Sequence, residues 1–540
     1  MATPLRTRTP GGSRAGRRPL WPSALVGVAA GVVGLGVAEV AAAVVAPSSA
    51  PLVALGDAVV DLTPPWLKDA AIEAFGTHDK TVLLTGAAVV ALLLSATAGV
   101  ASRNRSRVGT WIVVGLGAVA AWAAVTRPDA TVLSAVPSVL GAIAGMLTLQ
   151  RLSAMLDPVP TFRPGDEPLE PVEPVDPDDR PPLPPPRRAV VASAWFLLGG
   201  TAALVAGRLL GARLRGADES RREIATRLPA SARTPAPPPA GVEVGVDGVV
   251  PWRVPNRDFY RIDTALVTPR MKAESWRLRI HGMVGQEVTV GFDDLLRSPL
   301  VERDVTLACV SNEVGGDLVG NARWLGTPIA PLLARARPQP GADMVLSTSV
   351  DGWTCGTPLS ALTDGRDALL AIAMNGEPLP VEHGFPVRMV VPGLYGYVSA
   401  TKWVVEMELT RFDRAEAYWT PRGWSARGPI KTASRIDVPA EDDRLEAGRV
   451  AIAGVAWAQH RGIRAVEVQL DDGAWQQATL ATDASADTWR QWVHLWDATP
   501  GRHRIRVRAV DGTGAVQTGE AAPPAPDGAT GWHTIDVQVS

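Results

Sequence analysis

Three parts in series are predicted from the 540 residues: a membrane region of five helices, an α+β domain, and an antiparallel β-sandwich. Three observations carry that reading. Ala, Val, Leu and Gly dominate the first two hundred residues, in five runs close to the roughly 20 residues a spanning helix needs. Short strands with intervening helical turns follow from about residue 250. After about residue 425 the pattern becomes alternating strands separated by Asp-Gly and Pro-Gly turns. The expected boundaries are 1–210 for the transmembrane region, 211–248 for a linker, and 249–425 and 426–540 for the two domains.

The five runs are Ala24–Val45, Thr81–Ala101, Val108–Val125, Ala130–Leu149 and Ala189–Gly207. The first reads as a span rather than a cleaved signal peptide, because more spans follow and no A-x-A site precedes a folded domain. Arg6, Arg8, Arg14, Arg17 and Arg18 precede it, Arg103, Arg105 and Arg107 lie between spans two and three, and Arg151, Arg187 and Arg188 flank the segment between spans four and five. With basic loops held in the cytoplasm, five crossings place everything after about Arg208 outside it. The expected location is the cell membrane, multi-pass, with the later domains extracytoplasmic. Arg187-Arg188 has the form of a twin-arginine export signal lacking its usual aromatic, with Val190 there instead. The loop Asp157–Arg188 is acidic and Pro-rich, hence extended. No histidine occurs in the spans, which excludes a bis-histidine haem b there. Glu39 is the clearest ionisable residue within a span. Anchoring is the simplest role for these helices.

Charge and cysteine use narrow the function classes. A net charge of -2 gives no reason to invoke nucleic acid. Cys309 and Cys355 are the only cysteines, and neither CxxC nor CxxCH occurs, so zinc ribbons and covalently attached c-type haem are excluded.

A Pro/Ala-rich, mobile linker is expected from Ala217 to Gly248, with ordered chain resuming at Trp252. Strands are predicted at Trp276–Ile280, Glu287–Val290, Asp304–Cys309, Met344–Ser349 and Val387–Val391, and helical turns at Pro328–Ala336 and Leu359–Leu362. The third strand delivers Cys309 into the turn Val-Ser-Asn312-Glu313-Val-Gly315-Gly316. One sulfur is thereby set at the mouth of a sheet, where loops build sites. It can be a nucleophile, half of a disulfide, a soft metal ligand, or a buried structural thiol.

Asn375-Gly-Glu-Pro-Leu-Pro-Val-Glu-His383-Gly-Phe-Pro-Val-Arg388-Met-Val-Val-Pro392-Gly, followed by Thr401-Lys402-Trp403, resembles the signature of the sulfite oxidase family of molybdenum enzymes. The resemblance runs from about Asn256 to the C-terminus and excludes the membrane region. It implies a molybdenum held by a molybdopterin dithiolene plus one protein thiolate, matched by Cys309. It further implies that His383 and Arg388 contact the pterin phosphate, that Ala400, Thr401 and Lys402 contact the pterin, and that Asp351 binds it. Asn256, Tyr260, Arg261 and Asp263 fall in the family's early cofactor segment, and Asn312 is grouped with the same set. Cys309 and Arg261 are the expected catalytic residues, Arg261 as a remaining cation for substrate. Two departures point away from sulfite itself. Ile372 stands where the family has an active-site tyrosine, and Glu313 and Val314 stand where it has arginines for an anion. The loop is closer to that of periplasmic methionine-sulfoxide reductases of the family, whose substrate is neutral. Tyr395 and Tyr397 are candidates for hydroxyls near the site, and Cys355 reads as a buried small residue.

In the last domain, strands are predicted at Val450–Ala458, Ala465–Leu470, Thr488–Trp496, His503–Ala509 and Trp532–Val539, an immunoglobulin-like spacing without the inter-sheet cysteine pair. The resemblance implies that this domain pairs two subunits as a homodimer. The expected function is oxygen-atom transfer on a small sulfur-containing substrate. Electrons would pass to or from a separate quinone or cytochrome, since no haem or iron–sulfur motif is present. A true sulfite oxidase, a thiol hydrolase using Cys309 and His383, and a non-catalytic membrane-anchored binding protein are the competing readings.

Overall fold

The computed structural model describes residues 19–64, 67, 74–75, 79–104, 107–127, 130–156, 187–231 and 237–540. The arginines before the first span, Arg105 and most of the acidic Pro-rich loop lie outside them. The chain divides into two compact units, Met1–Leu214 and Arg215–Ser540.

In the first unit, helices cover Trp21–Val45, Pro51–Leu62, Asp79–Ala101, Val108–Val125, Val136–Ala154 and Arg187–Arg215. Among the described residues, five helical stretches are long and apolar enough to cross a membrane, and they coincide with the five predicted runs. The abundant glycine has a packing cause. A Cβ on Gly27 would lie 2.0 Å from Ser95 O, and one on Gly34 2.8 Å from Gly141 O. Small residues thus let the first helix meet two others backbone to backbone. Glu39 pairs with Arg208 at 3.3 Å, so the ionisable residue left alone by the sequence has a partner. The Pro51–Leu62 helix was not predicted; at 12 residues it is too short for a span.

The second unit begins with a correction. Residues 217–227, expected within a mobile linker, form a helix, Ala217–Arg227, with Ala217 and Ile224 buried. Its charged sequence hides a small apolar face. Ser220 Oγ donates to Glu274 at 3.0 Å, and Arg221 Nε donates to the Leu379 carbonyl at 3.0 Å. The far end of the linker is docked as well: Thr482 N donates to Gly241 O at 2.8 Å, and Gln491 accepts from Val244 N at 2.8 Å.

Ten strands follow: β1 (Arg277–Gly282), β2 (Val288–Gly291), β3 (Val301–Ala308), β4 (Val319–Pro328), β5 (Met344–Ser349), β6 (Thr354–Pro358), β7 (Leu369–Met374), β8 (Glu377–Pro378), β9 (Arg388–Val390) and β10 (Val404–Thr410). One sheet has the order β2-β1-β10-β5-β6, the other β3-β4-β7-β8 with β9 added on β7. The short helices Phe292–Arg297, Ile329–Ala336 and Leu359–Thr363 connect them. All six residues of β7 are buried, which is why it reads as a continuous apolar run. Ile372 lies there, fully buried in the core.

The C-terminal region adds β11 (Ala433–Val438), β12 (Arg444–Leu445), β13 (Gly448–Trp457), β14 (Ile463–Leu470), β15 (Gln476–Gln477), β16 (Thr479–Leu480), β17 (Arg490–Ala498), β18 (Gly501–Asp511) and β19 (His533–Val539). They form two sheets, β11-β13-β17-β16 and β12-β19-β18-β14-β15. Ile452, Val466, Trp492, Val507 and Ile535 fill a core of this region. Val455, Trp457 and Trp489 instead join the core of the α+β part, so the two parts share apolar surface.

Candidate active site

β3 pairs with β4 along its whole length and stops where Ser, Asn and Gly replace apolar residues. Cys309 is the first residue past it. Its N–H still donates to Leu318 O at 2.9 Å, while Asn312 N donates to Cys309 O at 3.2 Å, closing the turn. The Asn312 side chain accepts from Leu318 N at 2.8 Å, which commits it to the loop's backbone. The sulfur is therefore held at a defined place, largely buried, and opens into a cavity.

Three further segments converge on that cavity. Residues 256–264 bring Tyr260 and Asp263, residues 381–388 bring His383 and Arg388, and residues 396–403 bring Ala400 and Lys402. Gly384 permits the second and third to approach. It has φ +111°, and a Cβ there would lie 3.0 Å from Arg388 Cβ and 3.2 Å from Lys402 Cβ. Arg388 is buried, its guanidinium 5.0 Å from the Trp324 ring and donating to His383 O at 3.1 Å. His383 Nε2 donates to Asn256 O at 3.2 Å. Lys402 Nζ binds Asp263 at 2.8 Å and Glu382 O at 3.1 Å. Ser349 ends β5 and Asp351 follows in the β5–β6 turn.

These positions unbalance the charges. Burial, with Arg388 and Lys402 nearby, lowers the His383 pKa to about 4. Burial lowers Arg388 to about 10, and lowers Lys402 to about 8 against the opposing pull of Asp263. Among the described residues no carboxylate pairs with Arg388 or His383. Ser349 Oγ is buried with no hydrogen-bond partner. A buried guanidinium, a buried ammonium and a free hydroxyl suit a bound dianion such as a phosphate ester. Burial also pushes the Cys309 thiol up, against donors at Ser311 and Val310 that lower it. A thiol in that state is a poor free nucleophile, which weighs against the hydrolase reading. A soft metal would displace its proton on binding.

Of the predicted residues, Cys309, Tyr260, Asp263, Asp351, His383, Arg388, Ala400 and Lys402 line this one cavity. Asn256 and Arg261 line a neighbouring cleft, which shares Phe259 and His383 with it. There Arg261 binds Asp263 at 3.1 Å and Thr268 at 2.9 Å, so it is not placed beside Cys309 as a substrate cation. Thr401 is buried against Ser347 at 2.7 Å, and Asn312 faces its own loop. Glu313 is exposed and does not line the cavity. Tyr395 points to Lys431, while Tyr397 does line the cavity. Cys355 is buried in β6, as expected. The sequence reading missed Trp353, Trp419, Trp424 and Ile262, which line the same cavity. The pair in Trp419-Thr-Pro-Arg-Gly-Trp424 was visible only as a domain boundary.

The oxidoreductase molybdopterin binding domain matches residues 265–419. That makes this part of the chain a molybdopterin-binding oxidoreductase domain. Human mitochondrial sulfite oxidase is 30% identical over 338 residues, covering 53% of this chain and 62% of the human one. The mouse mitochondrial sulfite oxidase is 30% identical over 376 residues, 60% of this chain and 67% of its own. The chain thus spans about three fifths of the human relative and two thirds of the murine one, and it belongs to the sulfite oxidase family of molybdenum-dependent oxidoreductases. Among solved structures, the sulfane dehydrogenase SoxCD from Paracoccus pantotrophus superposes with a TM-score of 0.48 at 23% identity, over 55% of this chain and 85% of that one.

Proposed function

We propose that this chain is a membrane-anchored, extracytoplasmic molybdopterin oxidoreductase that transfers an oxygen atom to or from a small sulfur compound. Cys309 is the protein ligand of molybdenum in this reading. The observation that carries it is one cavity holding the thiol together with Arg388, a buried guanidinium with no carboxylate partner among the described residues, and the neutral imidazole of His383. His383, Arg388 and Lys402 hold the phosphate end, and Tyr260, Asp263, Asp351, Ala400 and Thr401 hold or shape the pterin. The bound metal supplies two-electron redox chemistry. The protein's own part is to orient the sulfur, neutralise the phosphate and keep water from the reacting end.

The five apolar helices support the anchor, and the basic loops support an outside position for the second unit. The C-terminal sheets are read as an immunoglobulin-like sandwich through which two chains pair. A quinone or a separate cytochrome exchanges the electrons. The relatives' names favour sulfite as substrate; the cavity favours a neutral one, because its two cations, Arg388 and Lys402, come from the phosphate-binding segments.

Metal analysis tests the proposal. Purified protein is expected to hold about one molybdenum per chain, and Cys309→Ser to lose the metal's activity and most of its retention. Metal-free protein that hydrolyses esters would instead establish the thiol hydrolase, and inert metal-free protein the binding protein. Sulfite oxidised faster than any neutral sulfoxide is reduced would make the chain a true sulfite oxidase.

A further inference from the structure

Beyond its cations, the cavity has an aromatic side that no part of the cofactor reading uses. Gly396 lies against the strand that delivers Cys309, a Cβ there being 3.7 Å from Ala308 O. Tyr397 follows, and from it a run of rings leads away. Tyr397 and Trp424 have centroids 6.0 Å apart, and Trp424 and Trp419 6.1 Å. All three line the cavity and are half-buried. The wall is fixed: Tyr397 OH donates to Ser425 O at 2.7 Å, and Tyr418 N donates to Thr354 Oγ1 at 3.0 Å. Ile262, 49% exposed, adds an apolar edge. Tyr260, Lys402 and Arg388 line the same cavity as Cys309 and supply its polar part.

Two unlike surfaces therefore line the cavity that holds Cys309. Buried cations take an anion, whereas aromatic faces carry negative quadrupole and disfavour one. We propose that Tyr397, Trp424 and Trp419 form a specificity wall for the organic substituent of a neutral thioether or sulfoxide, one with an aryl or extended alkyl group. This rests on the oxidoreductase reading above and names its substrate class.

The test uses the full-length, molybdenum-loaded protein in detergent, with methyl phenyl sulfoxide, dimethyl sulfoxide and sulfite. In the reductive assay the S–O bond breaks, and the oxygen leaves as water with two protons from solvent and two electrons from reduced viologen. Methyl phenyl sulfoxide is expected to show a KM at least about tenfold below that of dimethyl sulfoxide. Trp419→Ala and Trp424→Ala should each erase most of that ratio at unaltered molybdenum content, while Trp419→Phe and Trp424→Phe retain it. Equal KM values for the two sulfoxides, a ratio untouched by the alanine variants, or preference for sulfite overturns the wall. Failure of the underlying reading is seen separately, as absence of molybdenum. In that case methyl phenyl sulfide is titrated against tryptophan emission; quenching lost in Trp424→Ala still supports an organosulfur wall, and no quenching overturns it.

Discussion

Arg388 sits 6% exposed, its guanidinium bonded only to backbone carbonyls and resting on Trp324. A buried cation without an anion is costly, so ligand charge and stability are linked here. Removing the cofactor should lower the melting temperature by several degrees, and Arg388→Ala should shrink that difference as it weakens retention. The measurement is calorimetry of loaded and cofactor-free protein. The pH response has a sign that follows from His383. Its folded pKa of about 4 lies below the ordinary 6.5, so the unfolded chain binds more protons between those values. Its contribution is full above about pH 6.5 and is lost as pH falls toward about 4, up to about 3 kcal/mol for a shift of this size. Cofactor-free His383→Asn should show a flatter acid limb in denaturant titrations. At this scale the sequence was readable where chemistry is local. A thiol past a strand and a His–Arg–Lys spacing announce themselves, whereas the hydrogen bonds that tie Asn256 to Met374 O and Asn375, and Asn312 to Leu318 N, leave no trace in spacing. Trp419 and Trp424 carry no such spacing signal; only the chain's return to the cavity puts them there.

The β3 strand and its loop are braced by the C-terminal region. Thr306 Oγ1 accepts from Trp489 N at 2.8 Å and donates to Asn321 at 3.1 Å, while Gln459 donates to Thr306 O at 3.0 Å. Beyond the sulfur, Arg435 donates to Gly316 O at 2.9 Å, and His533 packs on Gly315. Gly315 has φ +81°, and a Cβ there would lie 2.3 Å from His533 Cδ2. Gly315→Ala is expected to cost about 2–4 kcal/mol, from the backbone conformation and the clash together, and to lower molybdenum occupancy. Urea unfolding combined with metal analysis reads both. Thr306→Val leaves the Trp489 amide unsatisfied in the core and should cost about 1–3 kcal/mol. Periodicity revealed several strands closely, since alternation and apolar runs are local properties, but it set the start of β3 three residues late and did not mark β4, β6, β7 or β10. It could not reveal the brace, which joins residues far apart in the chain. The helix Ala217–Arg227 was hidden for a related reason: its apolar face is two residues wide, and tertiary contact supplies the rest.

For the whole molecule, two units and five apolar helices set a testable topology. In right-side-out vesicles, protease added outside should release a fragment carrying Cys309, and the arginine-rich loop near Arg103 should stay protected. Cleavage at that loop with the Cys309 fragment protected would invert the orientation. Composition made the division between the units plain, because the apolar runs end near residue 210 and polar, turn-rich sequence follows. How the helices pack was not legible, since it depends on which glycines meet which backbone.

The contact between His533 and Gly315 has a consequence for biogenesis. The loop that carries Cys309, the proposed molybdenum ligand, finds its last support in β19, far downstream in the chain. A ribosome must deliver the polypeptide past that strand before the cradle is complete. If Cys309 is the ligand proposed above, a product truncated before β19 is expected to bind molybdenum poorly, because the Cys309 loop loses the His533 contact at Gly315.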